Sequence, residues 1–429
     1  MLHTFPNSQS RPVRLGIIGL GPRGETLLAT LMLMPEVAEI VALCDLQQER
    51  LDKFAGLLAR EKRPVAKAFL DYHDLLALPE VEAVLIPTSW NSHLQIASAA
   101  MLQGKHVGLE VGGASSLEEL WHLVRAAESS GVSCMMLENC CYGRNELLAL
   151  NLARQGLFGE LVHCSCGYEH DLAEMACQIE AGHERALHNL HRNGDLYPTH
   201  GLGPIAKILR INRGNRFLSL TSTASKARGF AAAAEKQGWR GAGPQRSFNM
   251  GDVVTTVIRC AQGETISLVH SVSLPRPYSR SCRVQGTKGI WLEDAKGIYI
   301  DGLSPSLEEI DVAGNPYTVH KWSPVEEFYE QYDHPIWQEF RKNPAGGHGG
   351  MDTLTLRAFC AAVSQGVEAP IDVYDCAAWM SITCLSEQSI ALGSMPLPCP
   401  DFTNGKWLNR QTAAKGFWSL DELCQVSQM

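Results

Sequence analysis

Charge is scarce in this chain and long apolar runs are missing, and the two shortages together narrow its class. Asp, Glu, Lys and Arg make up 19% of the 429 residues, below the ~25% of an average soluble domain. Lys+Arg 37 against Asp+Glu 46 leaves −9. The charges are scattered, with no clustered basic face, so no nucleic-acid partner is expected. No stretch reaches the ~20 apolar residues of a membrane helix, and residues 1–12 hold no apolar signal core. No membrane partner and a cytoplasmic location are therefore expected. No Cys-x-x-Cys pair occurs among the 14 cysteines, although zinc sites commonly use such pairs. A secreted disulfide scaffold is shorter and far denser in cysteine. The cysteines here, Cys140, Cys141, Cys164 and Cys166 included, read as small buried hydrophobes. Repeats and low-complexity segments are missing too. What remains is a 45% hydrophobic chain, long enough for two domains.

The first part alternates short apolar runs with helical patterns. Val13–Ile18 is an apolar, β-branched run that ends in glycines. Residues 40–44, 83–87, 106–111 and 134–138 read as further strands, and 25–34, 47–60, 94–102 and 117–128 as the helices between them. Such alternation predicts a parallel sheet covered by helices on both faces. Beyond about residue 145 the texture changes. A helix at 147–154 and a strand at 161–168 precede a His-rich polar stretch over 169–200. Strand candidates follow at 217–222, 252–259, 264–272, 281–285 and 289–292, then helices at 352–364 and 373–392. The expected fold class is α/β: a doubly wound parallel sheet followed by an α+β unit with a large mixed, mostly antiparallel sheet. The expected domains are 1–140, binding a dinucleotide (with 1–12 flexible), and 141–429, carrying substrate-binding and catalytic residues.

Gly19-Leu20-Gly21-Pro22-Arg23-Gly24 is a Gly-x-Gly-x-x-Gly that follows a strand and opens a helix, the context that gives the pattern meaning. Gly19 suits a tight turn, Gly21 lets backbone approach a pyrophosphate, and Gly24 lets helix and strand pack closely. The helix N-terminus supplies N–H groups for the anion. Asp45 closes the second strand, 21 residues beyond Gly24. A carboxylate there accepts from a ribose 2′-hydroxyl and repels a 2′-phosphate, which favours NAD over NADP.

Ala83-Val84-Leu85-Ile86-Pro87-Thr88, His93, and Gly104-Lys105-His106-Val107 leading to Glu110 resemble the glucose–fructose oxidoreductase family of sugar-handling dehydrogenases. Two departures stand out. That family usually continues Glu-Lys-Pro, where this chain reads Glu110-Val111-Gly112. Many members carry an Asp four residues before a catalytic His, where this chain has Leu196 before His200. Both departures fit one branch. Glu138-Asn139-Cys140-Cys141-Tyr142-Gly143-Arg144, Gly167-Tyr168-Glu169-His170-Asp171 and the run from His191 through Tyr197-Pro198-Thr199-His200 to Pro204 resemble glycoside hydrolase family 109, the NAD-dependent α-N-acetylgalactosaminidases. Pro275-Arg276-Pro277-Tyr278-Ser279-Arg280 and Gly347-His348-Gly349-Gly350-Met351-Asp352 extend the likeness over nearly the whole chain.

The resemblance implies NAD contacts at Pro22, Arg23, Asp45, Trp90, Asn91, Ser92, His93, Glu110, Val111 and Asn139. It implies substrate contacts at Tyr168, Arg185, Tyr197, Pro198, Thr199, His200 and Tyr278, with Tyr197 also touching the nicotinamide. It further implies a redox route to glycoside cleavage, one of the exceptions to the two-carboxylate rule. A hydride leaves C3 of the sugar for NAD, the C2 proton becomes acidic, the aglycone is eliminated, water adds at C1, and the hydride returns. His200, Tyr197 and Tyr168 are the candidate acid–base residues. The positive end of a helix beginning near His200 is expected to disfavour its imidazolium. Arg185 is expected to orient substrate through directed N–H donors. The expected substrate is a glycan with terminal GalNAc. An NAD-dependent sugar or inositol dehydrogenase is the alternative activity, and a non-catalytic NAD-binding subunit a third reading. No metal is expected: His183, His188, His191 and His200 cluster, but without partners at recognisable offsets. Tyr142 reads as packing. The His348 loop reads equally as a closing segment or a turn, and a homodimer is the expected assembly.

Overall fold

The computed structural model describes residues 11–176, 184–238, 248–342, 344–410 and 414–422. His183 lies outside them, as does most of the 1–12 segment. Six strands form the first sheet: β1 Val13–Ile18, β2 Ala38–Cys44, β3 Lys67–Phe69, β4 Ala83–Ile86, β5 His106–Leu109 and β6 Cys134–Met136. Their order is β3-β2-β1-β4-β5-β6, and every pairing is parallel. β1, β4 and β5 are almost wholly buried, as strands covered on both faces must be. The three-residue β3 and the short helix after it carry too little periodicity to be read from sequence.

The order reverses between β1 and β4, and a doubly wound sheet opens its ligand crevice at that point, beyond the strands' carboxyl ends. The helix Pro22–Met32 begins there, earlier than its composition predicts, because Pro22 at its first position already has a helical φ and needs no N–H partner. The helix Leu117–Ser130 is closed by a Ser116/Glu119 capping box and by Gly131 in the left-handed region.

β7 (Leu161–Glu169), β8 (Phe217–Ala224), β9 (Val254–Cys260) and β10 (Thr265–Ser271) build the middle of a second, nine-stranded sheet. From one edge its order is Ser323–Pro324, Gly297–Ile300, Gly289–Leu292, Arg283–Gly286, β7, β10, β9, β8 and Leu397–Pro398. Only the β7–β10 pair is parallel; the rest is antiparallel, the mixed sheet expected. β9 alternates buried and exposed residues without a break, so one face looks to helices and the other is open. The helices Thr199–Ile208 and Val373–Ala391 cover the inner face. The second of these, with Met351–Gln365, also packs on the first sheet: the Met136 N–H donates to Ile371 O at 3.2 Å, and Phe359 lies against Gly108. A small hairpin, Ser306–Ile310 with Pro316–His320, stands apart from both sheets.

Thr199–Ile208 is helical against its composition, since Gly201, Gly203 and Pro204 all disfavour a helix interior. The reason is tertiary. A Cβ on Gly201 would stand 2.6 Å from the Gly167 backbone of β7, and one on Gly203 would stand 3.0 Å from Glu138 Cγ. Only glycines let this helix lie that close to β7 and to the segment after β6.

Candidate active site

Three groups of residues meet around the carboxyl end of the first sheet. The first is the glycine cradle. Gly19 has φ +102, and a Cβ on Gly24 would collide with Gly19 O at 2.2 Å, so the turn and the strand–helix approach both require glycine. A Cβ on Gly21 would meet nothing nearer than Arg50 Nη1 at 3.9 Å. Its backbone is therefore open to a ligand at the helix N-terminus, where a pyrophosphate is favoured. Asp45 is buried at the end of β2. It accepts from the Leu20 N–H at 2.7 Å and the Gln47 N–H at 2.9 Å, and it pairs with Arg50 at 3.3 Å. This cradle fits a dinucleotide.

The second group is a buried charge network. Arg23, in the first turn of its helix, donates Nε–H to Glu110 at 2.7 Å and both terminal nitrogens to Asp352 at 2.8 and 3.0 Å. Asp352 also accepts from Asn139 Nδ2 at 2.8 Å and faces His348 Nδ1 at 2.8 Å. Burial pushes the Glu110 carboxyl up despite Arg23, whereas burial of Asp352 is outweighed by His348 and Arg23, which hold it low. Arg23 and Asn139 thus converge on one carboxylate from the other half of the chain, with Glu110 joined to it through Arg23. His348 is tied to that carboxylate from its glycine-rich loop.

The third group is aromatic. Tyr168, near the end of β7, and Tyr197, just before the helix Thr199–Ile208, lie with ring centres 4.5 Å apart. His200 sits 4.8 Å from Tyr197 and 5.6 Å from Tyr168, and Tyr278 closes the side 6.2 Å from Tyr168. The Arg185 guanidinium stacks 4.7 Å above Tyr197 and 5.3 Å from Trp90; burial raises the phenol pKa of Tyr168, and Arg185 lowers it in part. Trp90 occupies the space that Gly112 vacates, since a Cβ there would stand 2.4 Å from the indole. The change from the dehydrogenase Glu-Lys-Pro pattern thus exchanges a lysine and a proline for room to hold an indole. His93, beneath it, is fully buried, and desolvation lowers its pKa to about 4, so its ring is neutral.

His200 is governed by a carboxylate more than by its helix end. Glu138, fully buried, faces Nδ1 at 2.7 and 3.0 Å and also accepts from the Cys140 N–H at 3.1 Å. A carboxylate on Nδ1 fixes that nitrogen as the N–H and leaves Nε2 as the acceptor. His200 lowers the Glu138 carboxyl against the burial that raises it. Sequence reasoning missed both Glu138 and Asp352 as working groups, though each lies inside a motif it had singled out. The signal was adjacency: Glu138 precedes Asn139, and Asp352 closes the His348 motif.

The described histidines do not gather as one ligand set. His188 stacks on Trp90 at 5.1 Å and pairs with Glu184, and His191 is exposed. Among the described residues one group of metal-capable side chains, Glu138, Cys140 and His200, has donor atoms within 4.8 Å. Its atoms are engaged with one another, and burial keeps the Cys140 thiol protonated. Every described cysteine is free. Tyr142 is packing, its hydroxyl donating to Trp418 O at 3.1 Å, and Leu196 is core. Among the described residues Glu138 holds His200, Glu110 holds Arg23, Glu184 accepts from the Asn91 N–H at 3.3 Å and Asp352 holds three groups, while Asp195 accepts the Tyr197 N–H with one oxygen and leaves the other unpartnered. This is not the open pair of carboxylates that flanks the bond in most glycosidases.

Residues 142–409 match the family model for glycosyl hydrolase 109, C-terminal domain, and residues 13–138 match that of the oxidoreductase family, NAD-binding Rossmann fold. An alpha-N-acetylgalactosaminidase of Tannerella forsythia is 38% identical over 427 residues, covering 94% of this chain and 88% of its own. A glycosyl hydrolase family 109 protein of Stenotrophomonas maltophilia is 39% identical over 431 residues, covering 94% and 92%. An inositol dehydrogenase homolog from Azotobacter vinelandii, solved with NADH and myo-inositol, superposes with TM-score 0.65 at 17% identity, covering 91% of this chain and 98% of that one; the likeness is one of fold alone. Residues 13–138 are an NAD-binding Rossmann fold, and the chain as a whole belongs to glycosyl hydrolase family 109.

Proposed function

We propose that this glycosidase removes terminal α-linked N-acetylgalactosamine from glycans by an NAD-dependent, redox-neutral route that retains configuration. The observation that carries the reading is the Glu138–His200 pair set against two phenols under a guanidinium. Likeness to an alpha-N-acetylgalactosaminidase over most of both chains supports the substrate. When bound, NAD supplies a hydride acceptor for the sugar's C3 and a hydride donor at the end of the cycle. Gly21 and the first turn of Pro22–Met32 would hold its pyrophosphate, Asp45 a ribose hydroxyl, and Arg23, Glu110, Val111, Asn139 and the loop Trp90 to His93 its reacting half.

The chain's own residues then supply proton chemistry. His200 accepts a proton at Nε2 while Glu138 stabilises the charge that develops on the ring. Tyr168 and Tyr197 offer O–H donors to the oxygen that becomes enolate-like when the C2 proton leaves, a role favoured by placement in a buried site. Arg185 turns their hydroxyls and faces the sugar. Trp90 and the tyrosines exclude water from the reacting carbons.

The test is cleavage of a chromogenic α-GalNAc substrate in D₂O. Retained anomeric configuration with deuterium at C2 is the expected result. Hydrolysis without exchange at C2 would overturn the redox route, and lasting NADH equal to the substrate consumed would make the chain a dehydrogenase instead.

A further inference from the structure

Arg280 has no role in the site as described so far, yet its side chain is only 12% exposed. It follows Tyr278 by two residues, and in an extended segment such side chains share a face. The segment is stapled to the end of β7: Ser279 and Glu169 exchange both backbone hydrogen bonds, at 2.9 and 3.1 Å. Tyr278 is thereby held beside Tyr168, the neighbour of Glu169.

The guanidinium joins four groups. Nη1 donates to Tyr278 Oη at 3.3 Å and faces Cys140 Sγ at 3.6 Å. Nη2 donates to Glu146 and, at 3.2 Å, to Glu293. Glu146 reaches it because Gly143 leaves the space, a Cβ there falling 2.1 Å from Glu146 Oε2. Glu293 is held in turn by the Cys282 N–H at 3.0 Å. Two carboxylates therefore fix one nitrogen and aim the other at a tyrosine oxygen.

The consequence is a matter of donors and acceptors. Arginine has only donors, so the Tyr278 oxygen accepts from Arg280, and the phenol's own hydrogen is left to donate outward. We propose that Arg280 is a positioning residue that makes Tyr278 a hydrogen-bond donor to an acceptor oxygen of the bound sugar, a carbonyl or hydroxyl oxygen. This rests on the substrate reading above. Lysine cannot reproduce the contact, because one compact ammonium cannot serve Glu146, Glu293 and Tyr278 together.

The experiment measures binding of free GalNAc to the NAD-loaded protein by calorimetry for wild type, Tyr278→Phe, Arg280→Lys and the double variant. Tyr278→Phe and Arg280→Lys are each expected to weaken binding by about tenfold, the worth of one hydrogen bond. The double variant is expected to match Tyr278→Phe, because the two act through one hydroxyl. Losses that multiply, or full affinity in Arg280→Lys, overturn the proposal. Arg280→Met is a harsher change that leaves two buried carboxylates unpaired, so Arg280→Lys carries the test. A sugar-free readout separates this from failure of the substrate reading. With 3-fluorotyrosine at position 278, the fluorine resonance is expected to move between wild type and Arg280→Lys. An unmoved resonance overturns the proposal whatever sugar the site prefers, while a wild type that ignores GalNAc overturns only the substrate.

Discussion

In the proposed route Glu138 and His200 set the chemistry at the residue scale. A buried carboxylate on Nδ1 makes Nε2 the working nitrogen and keeps the ring in one orientation. His200→Ala is expected to lower kcat by about 10²–10⁴-fold, the usual worth of acid–base catalysis. Glu138→Gln keeps the shape but removes the charge, and its kcat is expected to fall by about 10²-fold with KM little changed; steady-state kinetics on a chromogenic α-GalNAc substrate checks both. Asp195 behaves in the opposite sense. It accepts from the Tyr197 N–H at 3.1 Å but is otherwise desolvated, and burial raises its pKa to about 7. A carboxyl raised in the folded state favours folding fully only below its unfolded pKa, near 3.9, and that contribution is lost progressively as pH rises from there to about 7. Asp195→Asn keeps an acceptor for Tyr197 and removes the buried charge. Its melting temperature is expected to exceed wild type by a margin larger at pH 8 than at pH 5, read by thermal denaturation at the two pH values.

Secondary-structure elements bring these residues within reach of one another. The helix Thr199–Ile208 lies close on β7 because Gly201 presents no Cβ to it, and close to the segment after β6 because Gly203 presents none there. Gly201→Ala is expected to push the helix away from Gly167, destabilising the fold by about 1–3 kcal/mol as overpacking does. Because His200 rides on that helix, kcat is expected to fall as well; a chemical-denaturation curve and a rate measurement separate the two effects. The composition of the helix argues against helicity and only its packing explains it. This is why its start could be read from the motif while its closeness to the sheet could not.

A buried ion cluster joins the parts of the whole molecule. Arg213, 1% exposed, pairs with Asp421 and Asp375 at 2.7 Å and with Asp372 at 3.0 Å, and Lys207 pairs with Asp421 at 2.7 Å. Lys207 ends the helix that carries His200, and Asp372 caps Val373–Ala391, which packs on the first sheet. The cluster therefore couples the helix that carries His200 to the first sheet. Arg213→Met takes a cation from three buried carboxylates, of which Asp372 keeps Arg410 and Asp421 keeps Lys207, and is expected to lower stability by about 3–5 kcal/mol. The cations hold Asp372 down at about 2 and Asp421 lower still, against the burial that raises both. Carboxylates depressed in the folded state stabilise it above their unfolded pKa, near 3.9, and lose that contribution as pH falls toward the folded value. Unfolding is expected to steepen below about pH 4 in wild type and less so in Arg213→Met, which circular dichroism along an acid titration would record. Among the described residues no helix is long and apolar enough to cross a membrane.

By itself the sequence determined what depends on local rules. Apolar periodicity set the strand–helix order of the first sheet and the mixed texture of the second. The glycine spacing set the cradle at Gly19, Gly21 and Gly24, because a tight turn and a close approach can each be recognised without knowing their surroundings. Tyr168, Tyr197 and His200 were legible only through the family resemblance that their motifs carry. The tertiary structure alone decided which groups those residues work through. Glu138 meets His200 across 62 positions and Arg23 meets Asp352 across 329, and Arg280 reaches Glu146 only because Gly143 makes room. A carboxylate in a sequence carries no mark of its partner. Its charge state, its direction and its use are fixed by burial and by the donors that the fold places around it.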